Sequence, residues 1–319
     1  MADRSSEVNA ETAGAPGVVL TDECGRPYVG RLLNHRAEMA ATPTEETPVD
    51  LRLTGKNIVV TGASKGIGFA IAKAFSKEGA NLVLASRRGP TLEAAGEAIR
   101  NAVPGASVTT HVADLADQAA REELARSHGD ADILVNNAGA IPRGTLEELS
   151  FDDWRRGWEL KVFGYVHLTK LFLEAMRPRR DGVILNVIGT AGRSPRADYI
   201  CGATGNASLI AFTEAVGGQS LDDGVRVLGI NPGYTATERF LGRSVGIDGP
   251  DRELLRQEFP ASRIALPTDV ADLAVLLCSD RSRSVSGVVV DCDLGNLRSG
   301  PTRPTPLPLD PLHNAPDRA

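Results

Sequence analysis

One stretch, Lys56-Asn57-Ile58-Val59-Val60-Thr61-Gly62-Ala63-Ser64-Lys65-Gly66-Ile67-Gly68, limits what this chain can fold into. Ile58-Val59-Val60 is an unbroken β-branched run, the pattern of a strand buried on both faces of a parallel sheet. Gly62, Gly66 and Gly68 follow at once, and Phe69-Ala70-Ile71-Ala72-Lys73-Ala74-Phe75 then reads as a helix. A strand, a tight glycine turn and a helix start form a phosphate site. Glycines let the backbone approach a pyrophosphate, and free N–H groups at the helix N-terminus face the anion. Three glycines alone would suit a plain turn as well. The strand before them and the helix after them point to a dinucleotide site, with Gly62, Ser64, Lys65, Gly66, Ile67 and Gly68 as its cradle.

Further strands are expected at Asn81–Ser86, Ser107–Val112, Asp132–Val135, Asp181–Ile188, Gly224–Ile230 and Gly287–Asp291. Helices are expected over 90–101, 152–177, Tyr199–Gly217 and Asp269–Ser279. Such alternation of strands and helices is the mark of a parallel sheet covered by helices. The end of the second strand carries a choice of cofactor. A carboxylate there would bind the ribose hydroxyls of NAD, whereas a basic residue accommodates the extra phosphate of NADP. Ser86-Arg87-Arg88 stands at that turn with no acidic residue, and Lys65 stands in the glycine loop. NADP (NADPH) is therefore expected over NAD, with Arg87, nearer the strand end, better placed than Arg88.

The Gly-x-x-x-Gly-x-Gly spacing of Thr61 to Gly68 resembles the cofactor fingerprint of the short-chain dehydrogenase/reductase family. Asn136-Asn137-Ala138-Gly139 after the fourth strand and Asn231-Pro232-Gly233-Tyr234-Thr235-Ala236-Thr237 after the sixth extend the resemblance over about residues 54–295. The resemblance implies an α/β single-domain Rossmann fold, a seven-stranded doubly wound parallel sheet with helices on both faces. It implies NAD(P) chemistry on a carbonyl or alcohol of a small-molecule substrate. It also implies that Asp114 and Leu115 meet the adenine, that Asn137, Ala138 and Gly139 border the cofactor, and that Pro232, Gly233 and Thr235 lie against the nicotinamide. Asp114 could equally cap the helix that starts near Asp117. A homodimer or homotetramer is implied as well, joined through the 152–177 helix and the one after strand five.

The family's chemistry uses a tyrosine, a lysine four residues later on the same helix face, a serine at the end of strand five and an asparagine in the long helix. Tyr199 takes the tyrosine position. Ala203 stands at the lysine position, Gly189 at the serine position and Lys161 at the asparagine position. A free phenol has a pKa of about 10, so Tyr199 alone is a poor base at neutral pH, although it can still donate a proton. Lys161 faces the space that the missing lysine would fill and has a flexible stem to reach it. Thr190 offers a hydroxyl one residue past Gly189, and Ser194 is a more distant substitute. The reading is an NADP(H)-dependent oxidoreductase with Tyr199 as proton donor and a relay that includes Lys161. The alternative is a non-redox protein of the same fold: a lyase, isomerase or cyclase, or a catalytically inactive partner-binding subunit.

Composition narrows the partners. Net charge is −6 with no basic block, which argues against nucleic acid. No apolar run approaches the roughly 18 residues that span a bilayer. The N-terminus lacks the basic-then-apolar order of a secretory signal, so a cytoplasmic protein is expected. Four scattered cysteines show no metal-ligand spacing and read as free thiols. Residues 1–52 are expected to be an N-terminal extension, an arm or a partly disordered leader. Residues 53–298 are expected to form the domain, and 299–319 a Pro-rich tail. The segment 238–262, with Phe240, Leu241, Val245 and Ile247, reads as a substrate-covering loop suited to a partly apolar carbonyl compound.

Overall fold

The computed structural model describes residues 49–238, 240 and 264–298. The expected extension, apart from residues 49–52, lies outside the described residues, as do Leu241, Val245, Ile247 and the Pro-rich tail. Seven strands form one parallel sheet: β1 (Asn57–Thr61), β2 (Asn81–Ser86), β3 (Val108–Val112), β4 (Ile133–Asn136), β5 (Gly182–Val187), β6 (Val225–Pro232) and β7 (Val289–Cys292). Their spatial order is β3-β2-β1-β4-β5-β6-β7. The chain thus winds outward from β1 in one direction and then from β4 in the other. The crevice beyond the carboxyl ends of β1 and β4 is the switch point, where such sheets bind ligands.

The apolar run of β1 now has its reason. Ile58 and Val60 pack on one face with Ile71 and Phe75 of α1 (Gly66–Lys77), Leu92 and Ile99 of α2 (Gly89–Ala102), and Val270 and Ala274 of a C-terminal helix at Pro267–Cys278. Val59 points to the other face. There it meets Leu124 of α3 (Gln118–Ser127) and a cluster that includes Phe172 and Met176. Both faces are dry, so no polar residue is tolerated between them.

The long helix expected over 152–177 is three pieces. Helix α4 (Phe151–Trp158) begins at a capping box, in which Ser150 and Asp153 satisfy each other's backbone N–H. A π-turn follows at Glu159–Phe163, and α5 (Gly164–Met176) completes the rod. The expected helix from Tyr199 is α6 (Ile200–Gln219), with Tyr199 at its N-cap, and the C-terminal helix is α7. Cys201, Cys278 and Cys292 are free thiols, and burial pushes Cys278 up to about 12.

Candidate functional site

The glycine turn is built as a cradle. Gly62 (φ +65°) and Gly66 (φ +62°) lie in the left-handed region that side chains disfavour. A Cβ on Gly62 would come within 2.9 Å of Ala138 Cα, and one on Gly68 within 2.5 Å of the Gly62 carbonyl oxygen. The turn is tied to β4 through Asn137, whose Nδ2 donates to the carbonyls of Thr61 (3.0 Å) and Gly62 (3.3 Å). Thr61 Oγ1 accepts from the backbone N–H groups of Asn137 and Ala138 and donates to Val135. Asn136 turns inward and donates to Asn186 of β5 (3.0 Å). The two asparagines thus hold the ends of β1, β4 and β5 together. Ile67, in the first turn of α1, packs its side chain onto the core.

At the end of β2, Ser86 Oγ donates to Ser64 Oγ (3.2 Å), which joins this turn to the glycine loop. Arg87 pairs with Asp114 (3.9 Å) and Lys65 with Glu238 (3.5 Å), all four side chains more than half exposed. Arg88 occupies the N-cap position of α2. A cavity of about 680 Å³ opens here, walled by Arg87, Asp114, Ala116, Ala140, Glu159 and Leu160 among others. Asp114 faces it and accepts from the Ala116 N–H (3.1 Å), while the cap of α3 is Asp117, which accepts from Ala119. Leu115 is buried in the core behind Asp114, so its side chain does not line the cavity. Pro232 ends β6, Gly233 donates its N–H to the Cys292 carbonyl (2.9 Å), and Thr235 Oγ1 donates to the Gly233 carbonyl (3.0 Å).

Lys161 lies in the π-turn and is 7% exposed. Its stem runs behind the segment that follows β4, since a Cβ on Gly139 would sit 3.1 Å from Lys161 Cδ. The ammonium donates to Tyr165 Oη (2.9 Å), the Val187 carbonyl (2.6 Å) and the Ile188 carbonyl (3.2 Å). Tyr165 Oη in turn donates to Val187 (3.0 Å), and burial pushes this phenol well above its ordinary range. The sequence reading does not single out Tyr165: a four-residue spacing from Lys161 is common on any helix, and the bond to the Val187 carbonyl is made by the fold.

Tyr199 is half-buried, and its ring lies over Gly202. A Cβ on Gly202 would come within 2.5 Å of the phenol oxygen and closer still to Cζ. Arg143 stands 5.8 Å from the ring centroid and pairs with Asp198 (3.3 Å), whose carboxyl is held low chiefly by its hydrogen bond from Arg196. Ala203 is buried. Gly189 has φ +136°, and a Cβ there would meet Asn206 Nδ2 at 2.9 Å. Asn206 donates to the Gly189 carbonyl (3.3 Å), so its carboxamide fills the space that a side chain at 189 would take. Thr190 is half-buried in the next turn. Hydrogen bonds hold Lys161 against Tyr165 and the end of β5.

Residues 56–243 match the short chain dehydrogenase family. D-beta-hydroxybutyrate dehydrogenase of Cupriavidus necator is 30% identical over 255 residues, 76% of this chain and 98% of that protein. The crystal structure of L-sorbose reductase from Gluconobacter frateurii, complexed with NADPH and L-sorbose, superposes with a TM-score of 0.72 at 32% identity. It covers 79% of this chain and 100% of its own. A 7α-hydroxysteroid dehydrogenase complexed with NADH and 7-oxo glycochenodeoxycholic acid superposes at 0.70 with 28% identity, over 77% of this chain and 96% of its own. The glycine cradle, the strand order and these matches agree, and the chain belongs to the short-chain dehydrogenase family.

Proposed function

We propose that this protein is an NADP(H)-dependent oxidoreductase that reduces a carbonyl, or oxidises a secondary alcohol, of a small organic substrate. The cradle is the observation that carries this reading. Its two left-handed glycines shape the turn, and the absent side chain at Gly68 lets α1 close against the Gly62 carbonyl and Asn137, which brings the N-terminus of α1 to the place of a pyrophosphate. Gly62, Ser64, Gly66, Ile67 and Gly68 would hold that group, with Ala138 and Gly139 beside it. Ser86, Arg87 and Lys65 would take the 2′-phosphate. The present partners of the two cations are exposed, and such pairs are worth about 0–1 kcal/mol, so a phosphate displaces them at little cost. Among the solved relatives one is a complex with NADPH and another with NADH, so the basic end of β2 is what favours NADP.

The nicotinamide, when bound, supplies or accepts the hydride, and the chain supplies position and a proton. In this reading Tyr199 Oη hands a proton to the substrate oxygen and Thr190 orients that oxygen. Lys161 supplies the positive charge that a lysine at 203 would otherwise bring, and its place behind Gly139 at the end of β5 supports this role. Asp114 would border the adenine, and Pro232, Gly233 and Thr235 the nicotinamide.

Titration of the purified protein with NADPH and, separately, NADH, read by nicotinamide fluorescence, tests the reading. NADPH should bind about 10-fold or more tightly than NADH, and Arg87→Ala should erase the difference, because a phosphate contact by arginine is charge-assisted. Equal affinity would remove the NADP preference, and binding of neither would remove the reductase reading. Two observations favour a second reading, a lyase, isomerase or cyclase or an inactive partner-binding subunit. Asn206 fills the place of a side chain at 189, and Ala203 is buried where a lysine would stand. Tight NADPH binding without oxidation by any carbonyl of a broad panel would favour that alternative.

A further inference from the structure

Behind the wall of the cavity lies a buried cation, Arg121 of α3, whose side chain is 4% exposed. Its Nη1 donates to the carbonyls of Leu115 (2.9 Å) and Ala116 (3.3 Å), in the loop that carries Asp114. The same nitrogen reaches the Glu159 carbonyl (3.5 Å), and Nη2 pairs with Glu159 Oε1 (3.0 Å). Nε donates to His167 Nδ1 of α5 (3.2 Å). Asp114 and Ala116 form one part of the cavity wall, and Glu159 and Leu160 another. One side chain therefore holds both parts from behind.

The second part is the π-turn that carries Lys161. Gly164 closes this turn by donating its N–H to the Glu159 carbonyl. A Cβ on Gly164 would lie 3.4 Å from that oxygen and 3.5 Å from the Leu115 carbonyl oxygen. Loop and turn thus touch backbone to backbone at this glycine, with Arg121 alongside. Single π-turns inside helices recur at functional sites because they re-aim side chains.

We propose that Arg121 is a positioning residue that couples the adenosine end of the cavity to Lys161. This rests on the nucleotide reading above. An adenosine group that settles against Asp114 and Ala116 fixes the loop. Arg121 carries that constraint to Glu159, and the π-turn passes it to the ammonium three hydrogen bonds deep at the end of β5. Without Arg121 the carbonyls of Leu115 and Ala116 lose their charged donor, and the two walls lose their common anchor. Contiguity does not by itself make coupling; a measured change at one site on filling the other does.

The probe is adenosine 2′,5′-bisphosphate, which carries the adenine, ribose and 2′-phosphate but no nicotinamide. Its binding is followed in the full chain together with the Lys161 side-chain NMR signal, assigned by its loss in Lys161→Met. Wild type, Arg121→Met, Arg121→Lys and Glu159→Ala are compared well below their unfolding temperatures. In wild type the probe should shift the Lys161 signal. In Arg121→Met the probe should bind about 10-fold more weakly, within the 5–150-fold range of ordinary coupling, and the signal should stop responding. Arg121→Lys should recover part of the response. Glu159→Ala, on a half-exposed side chain, removes the Nη2 pair, leaves only the longer contact to the Glu159 carbonyl, and should weaken the response even if Arg121→Met fails to fold. A purely structural arginine would lower only the unfolding temperature and leave affinity and response intact, which overturns the proposal. A wild type that binds the probe without a Lys161 response also overturns it, while the nucleotide reading stands. A wild type that binds neither the probe nor NADPH nor NADH overturns both.

Discussion

Gly202 shows how much a single missing atom decides. The Tyr199 ring lies where a Cβ at 202 would be, so the phenol owes its position to a neighbour three residues away on its own helix. Alanine is a better helix former than glycine by about 1 kcal/mol, so Gly202→Ala should leave thermal stability level or raise it slightly. The same change must push the ring aside, and a displacement of about 1 Å at a reacting group can cost about 100-fold. We expect kcat/KM to fall by about that factor while the melting temperature holds. Unchanged kinetics would show that Tyr199 does not need this position. The cradle residues were legible in sequence because their pattern is local: glycines at fixed spacing between a strand and a helix, although the backbone that crowds Gly62 comes from Ala138, far along the chain. Gly202 and Tyr165 were not. Their meaning depends on a ring folded back over α6 and on the Val187 carbonyl, which no local pattern announces.

Among the elements, the strands were readable and the long helix was readable only in outline. A strand buried on both faces needs an unbroken apolar run, and β1 shows one. The π-turn is met by Arg121, 38 residues from Glu159, and by the close approach of Gly164 to the still more distant Leu115, contacts that the apolar stripe cannot encode. The contact of His111 in β3 with His128 after α3 (3.2 Å) is likewise made by the fold, and burial holds His128 below its usual range. The π-turn carries its own prediction. Lys161→Met keeps the apolar stem behind Gly139 and leaves Tyr165 bonded to Val187. It should fold and bind NADPH, yet lose about 100- to 10,000-fold in turnover, the usual worth of a proton-transfer group. A wild-type kcat/KM in this variant would take Lys161 out of the chemistry.

At the scale of the molecule, alternation of strand and helix led to the seven-stranded parallel sheet, and no helix among the described residues is long and apolar enough to cross a membrane. Oligomeric state is a further proposal at this scale. Phe151 and Phe163 are 70% and 51% exposed on α4 and the π-turn, where aromatic side chains are costly to leave in water. A dimer or tetramer formed through this face would bury them. Phe163→Asp should then shift the mass measured by light scattering down to the monomer, with the fold intact. An unchanged mass would move the interface elsewhere. The turn at Gly189 has a consequence of another kind, for how such a sequence can change over time. Its backbone is one that only glycine adopts comfortably, and Asn206 already occupies the space beside it. A serine at 189 alone meets both obstacles, and a smaller residue at 206 alone leaves a hole. A side chain at 189 thus calls for changes at both positions together, and neither single step supplies it.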